Sequence, residues 1–560
     1  MIKKILFYAC CIAIIAFTSC NKKNKLDQAK LIPKDASLVL VINTPSLDEK
    51  IKSESFIKLD SILRTVVSKE DSIKFQKQFG KLKDAINLKD EFVFFMTQKL
   101  KGKEPIINFN IIASLKDAKA FEASIKENED WKKITINKTE LFNYFLPDNK
   151  FAISWNDKFV MLSVNPEKDG YSFDNTTGAF GITKADTALF IRQVKKYYSL
   201  AENESVASIK PFNDLVNENA DVYTFSNTSY LTSYLSLMPI QLVKLDSLVR
   251  DNYSTGTINF VNGKVESNGT LYLNKALAEL LKKYSGNTVQ TNMLDVYPTQ
   301  NINGFVLTSF NPEVISGLLK ELEVETLVDG FLQKAGMSSK DIYQSLKGDI
   351  NFAFSDFKMA ENPQGFGSKT SAKYLVEATI ADKVSFHKLM DILLPFGIIV
   401  KDGNGYTLSP VYADKVFIHT DDQRIIIATD ASVYTEYISG KSKNNIPDDI
   451  KSAVKGKSLA MYFNIDNLLS GLDLLSAKDT MIKNNIQRVR NTLKDAIVTT
   501  DNLKDGKIKS HGELRLKDDK QNSLIQLHNM VMEIVKSVGS SIKKPSHSAI
   551  ADSSFVTPGN

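Results

Sequence analysis

The sequence predicts an α+β protein built from two tandem homologous halves, with antiparallel sheets that carry helices on one face. Three observations predict it. Short apolar runs are joined by tight turns, amphipathic helical stretches recur between them, and the order of these elements repeats along the chain. The chain has 560 residues, 43% of them apolar, with 71 Lys+Arg against 65 Asp+Glu. That composition excludes a disordered, collagen-like or disulfide-stapled chain.

The chain opens Met1-Ile2-Lys3-Lys4, continues with an apolar stretch at 5–17, and then reads Thr18-Ser19-Cys20. A basic start and a short apolar region mark an export signal, since the stretch cannot span roughly 30 Å of hydrocarbon as a helix. The ending resembles the lipobox of bacterial lipoprotein signals, with Phe17 where that pattern has Leu. The resemblance implies cleavage before Cys20 and acylation of that cysteine, which anchors the protein in a lipid bilayer. Residues 1–19 are thus read as signal peptide and 20–31 as a flexible tether, polar from Asn21 to Lys30. Lys22, Lys23 and Lys25 can rest on anionic head groups. Residue 21 is Asn rather than Asp, and no acidic run follows. By resemblance to Gram-negative sorting signals, that implies the outer membrane and its periplasmic face. Of 3 cysteines, Cys10 and Cys11 leave with the signal and Cys20 is acylated. No thiol then remains for a disulfide, a Cys-based zinc site or a Cys nucleophile.

The first half is read as 32–298 and the second as 299–542. Each closes on a hairpin with a shared spelling. Gly263-Lys264-Val265-Glu266-Ser267-Asn268-Gly269-Thr270-Leu271-Tyr272-Leu273 answers Gly506-Lys507-Ile508-Lys509-Ser510-His511-Gly512-Glu513-Leu514-Arg515-Leu516. Asn262-Gly263 and Asp505-Gly506 predict type I′ turns, which need positive φ at both central residues. Upstream, the run at 88–94 answers 346–352. Ala113, Leu115, Asp117 and Phe121 answer Ala378, Ile380, Asp382 and Phe386 at one constant displacement, and the hairpin 151–164 answers 416–429. A strand ending in Asn or Thr before a helix occurs four times, at Asn43-Thr44, Asn227, Thr308 to Asn311, and Asn464. Capping of the helix N–H groups explains those side chains better than a catalytic series. Helical spacing follows at Leu59, Ile62, Leu63 and Val66, at 276–284, and at 523–538. The last carries one apolar face that predicts docking on the core. From 543 to 560 a Ser-, Pro- and Lys-rich tail is expected to be mobile.

The search for chemistry finds little. All 5 histidines, His387, His419, His511, His528 and His547, fall in the second half. His387, His419 and His511 stand where the first half has Glu122, Ser154 and Asn268, so they read as surface positions rather than metal ligands. No Gly-x-Ser-x-Gly elbow occurs. The run Gly365-Phe366-Gly367-Ser368-Lys369-Thr370 lacks the Gly-Lys of a phosphate loop and reads as a hairpin loop. Asp421-Asp422 and Asp448-Asp449 lack the alternating ligands of a calcium loop. No cofactor, metal, nucleotide or nucleic acid is expected. Aromatics remain: Trp131, Phe142, Tyr144 and Trp155 form a ligand surface for sugars or an apolar molecule if exposed, and core or inter-repeat packing if not.

Lipobox, repeated strand–cap–helix units and Asn/Asp-Gly hairpins together resemble a family of large bacterial envelope lipoproteins of unknown function. The resemblance implies location and a repeated fold, and it carries no catalytic residues. The expected role is binding or scaffolding in the envelope, with a protein or glycan partner, rather than catalysis. The alternatives are a hydrolase of envelope glycan or peptide with a discontinuous site, and a carrier of an apolar ligand.

Overall fold

The computed structural model of the protein describes residues 26–51, 84–101, 104–127, 135–148, 151–164, 170–173, 180–183, 187–235, 244–361, 368–403, 405–411, 416–440, 444, 446–472 and 480–542. Cys20 and its signal, the helical spacing at 59–66, Trp131, the 365–367 run, His547 and the 543–560 tail lie outside these residues.

Strands are numbered in chain order. The first are β1 (Leu38–Ile42), β2 (Phe92–Lys101), β3 (Glu104–Ser114), β4 (Asn137–Lys138), β5 (Asn143–Asp148), β6 (Phe151–Trp155) and β7 (Phe159–Val164). Next come β8 (Gly170–Phe173), β9 (Phe180–Thr183), β10 (Val222–Asn227), β11 (Tyr253–Val261) and β12 (Lys264–Tyr272). The second half supplies β13 (Ile302–Ser309), β14 (Leu346–Glu361), β15 (Ser368–Ile380), β16 (Ile399–Asp402) and β17 (Gly405–Leu408). It ends with β18 (Phe417–Thr420), β19 (Arg424–Ala428), β20 (Leu459–Asn464), β21 (Leu493–Thr500) and β22 (Lys507–Leu516). The fold is α+β.

Across the sheet the first half runs β4-β5-β6-β7-β3-β2-β1-β10-β11-β12. The second continues β22-β21-β20-β13-β14-β15-β19-β18, completing an 18-stranded sheet whose ladders are all antiparallel. The two halves thus follow one strand order, and residues matched by spelling take matching ladder positions. Phe94 pairs with Leu40 and Ile111; Phe352 pairs with Val306 and Val376. Ala113 lies opposite Val160, and Ala378 opposite Ile425.

Alternation builds the cores. Val39 and Val41 of β1 point with Val93, Phe95, Ile112 and Phe225 into a core closed by helices Thr187–Tyr198 and Lys210–Val216. In the second half Phe305, Leu307, Ala353, Leu375 and Tyr462 meet Val433, Tyr437, Ile450 and Val454. Each such Phe or Val contributes about 1.5–3 kcal/mol by leaving water. Smaller cores lie on the opposite face: helix Ala118–Lys126 covers Ala113, Trp155 and Val160, and helix Lys383–Leu393 covers Ile380, Ile399 and Tyr406.

The four repeated asparagines are caps. Their Oδ1 atoms accept the N–H groups of Ser46 (3.2 Å, from Asn43), Ser229 (2.8 Å, from Asn227), Glu313 (3.0 Å, from Asn311) and Asn467 (2.9 Å, from Asn464). The C-terminal part of the expected tether, from Leu26, is not a free linker. From Leu26 the chain is docked: Leu26, Ala29, Leu31 and Ile32 enter the first core, and Gln28 donates to Ser114 Oγ at 3.0 Å. Those apolar residues, diluted among Lys and Asp, are what the reading as polar linker missed.

The halves meet along the full length of β12 and β22 in a self-complementary way. Lys264 opposes Arg515 and Tyr272 opposes Lys507, while Asn268 faces His511, its own counterpart, at the centre. Such pairing has the geometry of a two-fold interface within one chain. It also explains the shared spelling. Ser267 lies against Gly512 and Ser510 against Gly269; a Cβ on either glycine would come within 2.5 and 2.4 Å of the facing serine hydroxyl. The turns differ from expectation at one residue. Asp505 and Gly506 both have positive φ, but at the other hairpin only Gly263 does. Asn262 is drawn into a bridge with Asn522, which keeps it extended.

On the seam Glu513 accepts from Lys264 Nζ at 2.7 Å, and His511 Nε2 lies 3.4 Å away. Burial pushes the Glu513 carboxyl up, but the bonds from Lys264 and His511 outweigh it, so its pKa is lowered. A depressed carboxylate stabilises the fold above its unfolded pKa and loses that contribution as pH falls through the folded one. Unfolding midpoints in urea are therefore expected to drop on acidification below the ordinary carboxylate range. Glu513→Gln should flatten the drop, and an unchanged slope would clear this carboxylate of any part in it.

Candidate functional site

A cleft of about 310 Å³ lies where the two halves exchange helices. Asn274 caps helix Lys275–Lys282 through Leu277 N–H (2.9 Å) and ties it back by donating to Arg250 O (2.6 Å). The helix leaves the first half and packs on helix Glu313–Glu321 of the second. Gly317 permits that approach, since a Cβ there would sit 2.6 Å from the Tyr284 ring. In return, helix Ser523–Ile542 packs on β11, β12 and helix Thr44–Ile51 of the first half.

The cleft walls are Leu281, Tyr284, Phe310, Val314, Leu459, Leu503 and Ile508, with Thr308, Ser309, Ser458, Thr500, Asp501 and Asn502 among them. Ser285, Asn287 and Asn311 complete the lining, and several of its polar groups are bonded to the protein. Ser458 Oγ donates to Thr500 O and Asp501 O, both at 3.1 Å, and Thr308 Oγ1 donates to Ile350 O at 3.3 Å. Ser309 Oγ donates to Asp349. Asn502 donates to Asn287 O (2.9 Å) and accepts from Gly286 N–H (3.2 Å), and Asp501 holds Lys457 Nζ at 2.6 Å. What faces the space is mostly apolar, and the volume is at the small end for a ligand pocket.

The equivalent place in the first half is plugged. Asn43 N–H donates to Asp221 O as Ser309 N–H donates to Ser458 O, so Asp221 and Ser458 are counterparts. Asp221, 0% exposed, accepts from Ser46 Oγ (2.6 Å), Lys50 Nζ (2.5 Å) and Phe260 N–H (2.6 Å). Ser458 carries no charge, and beside it the space stays open. Aligning the two strand–Asn units of β10 and β20 one residue further upstream would have flagged this Asp-to-Ser difference in the sequence.

The aromatic surface expected at Phe142, Tyr144 and Trp155 does not form. Trp155, 1% exposed, packs edge-on against Phe121 (5.6 Å) and Phe145 (6.3 Å). Phe142 is buried and stacks on Tyr198 at 4.6 Å, with half-buried Tyr144 tilted beside it at 5.8 Å. Trp155, at the end of β6, is roofed by helix Ala118–Lys126, the core alternative for these aromatics. Aromatics stack instead mid-sheet at matching positions in both halves, half-buried Phe94 on exposed Phe109 at 6.1 Å and half-buried Phe352 on exposed Tyr374 at 5.9 Å.

The described histidines stay apart, but not all on the open surface. His387 and His528 are half-buried, and burial lowers the pKa of His528. His387 Nδ1 lies 2.9 Å from Tyr406 Oη, which donates to Asp391 at 2.8 Å. Burial and the Asp391 carboxylate raise the Tyr406 pKa, so this phenol holds its proton and braces the helix instead of attacking a substrate. Among the described residues no group of three or more His, Cys, Asp or Glu side chains is arranged to hold a metal ion.

No protein-family model matches the chain, and no curated protein matches it. Two crystal forms of a protein designated TP0453 are similar to it in part. Form III gives a TM-score of 0.23 at 10% identity, covering 47% of this chain and 86% of that one. Form I gives 0.23 at 13% identity, covering 45% and 80%. Likeness at that score carries no argument about fold or function.

Proposed function

We propose that the chain is an exported lipoprotein of the bacterial envelope that binds rather than catalyses. In this reading acylated Cys20 holds it to the outer membrane on the periplasmic side, and its two halves are copies of one module. The N-terminal pattern Lys3-Lys4, 5–17 and Thr18-Ser19-Cys20 supports the anchor, and the shared strand order supports the duplication. The binding role rests on the inter-half cleft, which exposes mostly apolar surface and where Ser458 and Asn502 are already engaged by the protein. That composition favours an apolar ligand over a glycan or peptide substrate, which would need free donors and acceptors.

Two measurements test the reading. Cells labelled with palmitate should yield labelled wild-type protein in the membrane fraction and unlabelled Cys20→Ala protein; a Cys20→Ala protein that still takes up label would refute the anchor. Turnover of envelope glycan or peptide, abolished by one polar substitution, would overturn the non-catalytic role.

A further inference from the structure

We infer that the inter-half cleft takes a single unbranched acyl chain. The inference rests on the binding role proposed above and names its ligand class. Three observations carry it. The cleft, of about 310 Å³, is at the small end for ligand pockets and has room for one slender chain. Apolar side chains line it on both sides, Leu281 and Tyr284 at the end of the helix and Leu459 and Ile508 on the sheet. A polar ligand would have to break the bonds that Ser458, Asn502 and Thr308 make to backbone carbonyls, whereas a hydrocarbon leaves them intact.

The other half shows that the opening is a difference in the sequence and not a defect of the architecture. Where Asp221, Lys50 and Ser46 fill the corresponding place with a buried ion pair, Ser458 leaves it uncharged. A carboxylate at that point would oppose a hydrocarbon chain; a serine whose hydroxyl is already donated does not. The head group stays at the rim. Asp501 on the cleft wall is paired with the Lys457 ammonium at 2.6 Å, so neither charge is left over to select a charged head.

The test uses the full-length protein and 11-(dansylamino)undecanoic acid as probe. One probe per chain should bind saturably, with laurate and dodecanol displacing it alike. Val314→Trp, which fills the cleft from helix Glu313–Glu321, should weaken binding about tenfold or more with an unchanged melting temperature. Where Val314→Trp lowers that temperature, Ile508→Trp from the opposite wall decides. No saturable binding to wild type, binding in many copies, a requirement for a charged head, or affinity untouched by both fillings would each overturn the inference. Hydrolysis of p-nitrophenyl laurate that depends on one polar side chain would instead overturn the non-catalytic reading and leave the acyl chain in place.

Discussion

Asp221→Ala is expected to destabilise the protein by about 3–5 kcal/mol, the range for removing one partner of a buried ion pair. The carboxylate is fully buried and is the shared acceptor for Lys50, Ser46 and the Phe260 N–H, so its loss strands a cation and a backbone donor together. The denaturant midpoint should fall with little change in slope. Removing both charges in Asp221→Leu/Lys50→Leu should cost less than Asp221→Ala alone, because no ion is then left unpaired. A single variant within about 0.5 kcal/mol of wild type would show that solvent or a neighbour takes over the role.

Trp155→Ala should cost a similar amount, about 3–5 kcal/mol, because the buried indole packs with Phe121, Phe145 and Val160 and its removal leaves a cavity among them. Trp155→Phe should cost far less. The indole Nε1 has no hydrogen-bond partner among the described residues, so replacing the ring with an apolar one removes an unmatched donor along with some volume. Thermal unfolding of the two variants separates the effects. A Trp155→Ala protein with native melting behaviour would mean that the side chain belongs to a surface after all.

Much of the architecture was legible because its determinants are local. The Asn caps announce four helix starts, the apolar alternation of β1, β10, β13 and β20 announces strands with one buried face, and the paired spellings announce equivalent ladder positions. The seam was legible in part. The Ser-x-Gly match was visible, but not that the two copies pair with each other, since strand pairing depends on contacts between residues hundreds of positions apart. The site was hardly legible. The spelling around Trp155 left both core and surface open, because its cover comes from a helix earlier in the chain. The cleft depends on the absence of a charge at Ser458, and an absence has meaning only beside Asp221.

In a dimer of two identical chains every substitution appears on both sides of the axis, so both must carry a device or neither can. Here β12 and β22 belong to one polypeptide, and that restriction is lifted. The consequences are visible at three places: a histidine opposite an asparagine at the centre of the seam, a tyrosine under Lys507 where the other side has Arg515, and a plug on one flank against an open cleft on the other. Covalent continuity makes the molecule free to specialise one side while the other keeps the assembly rigid.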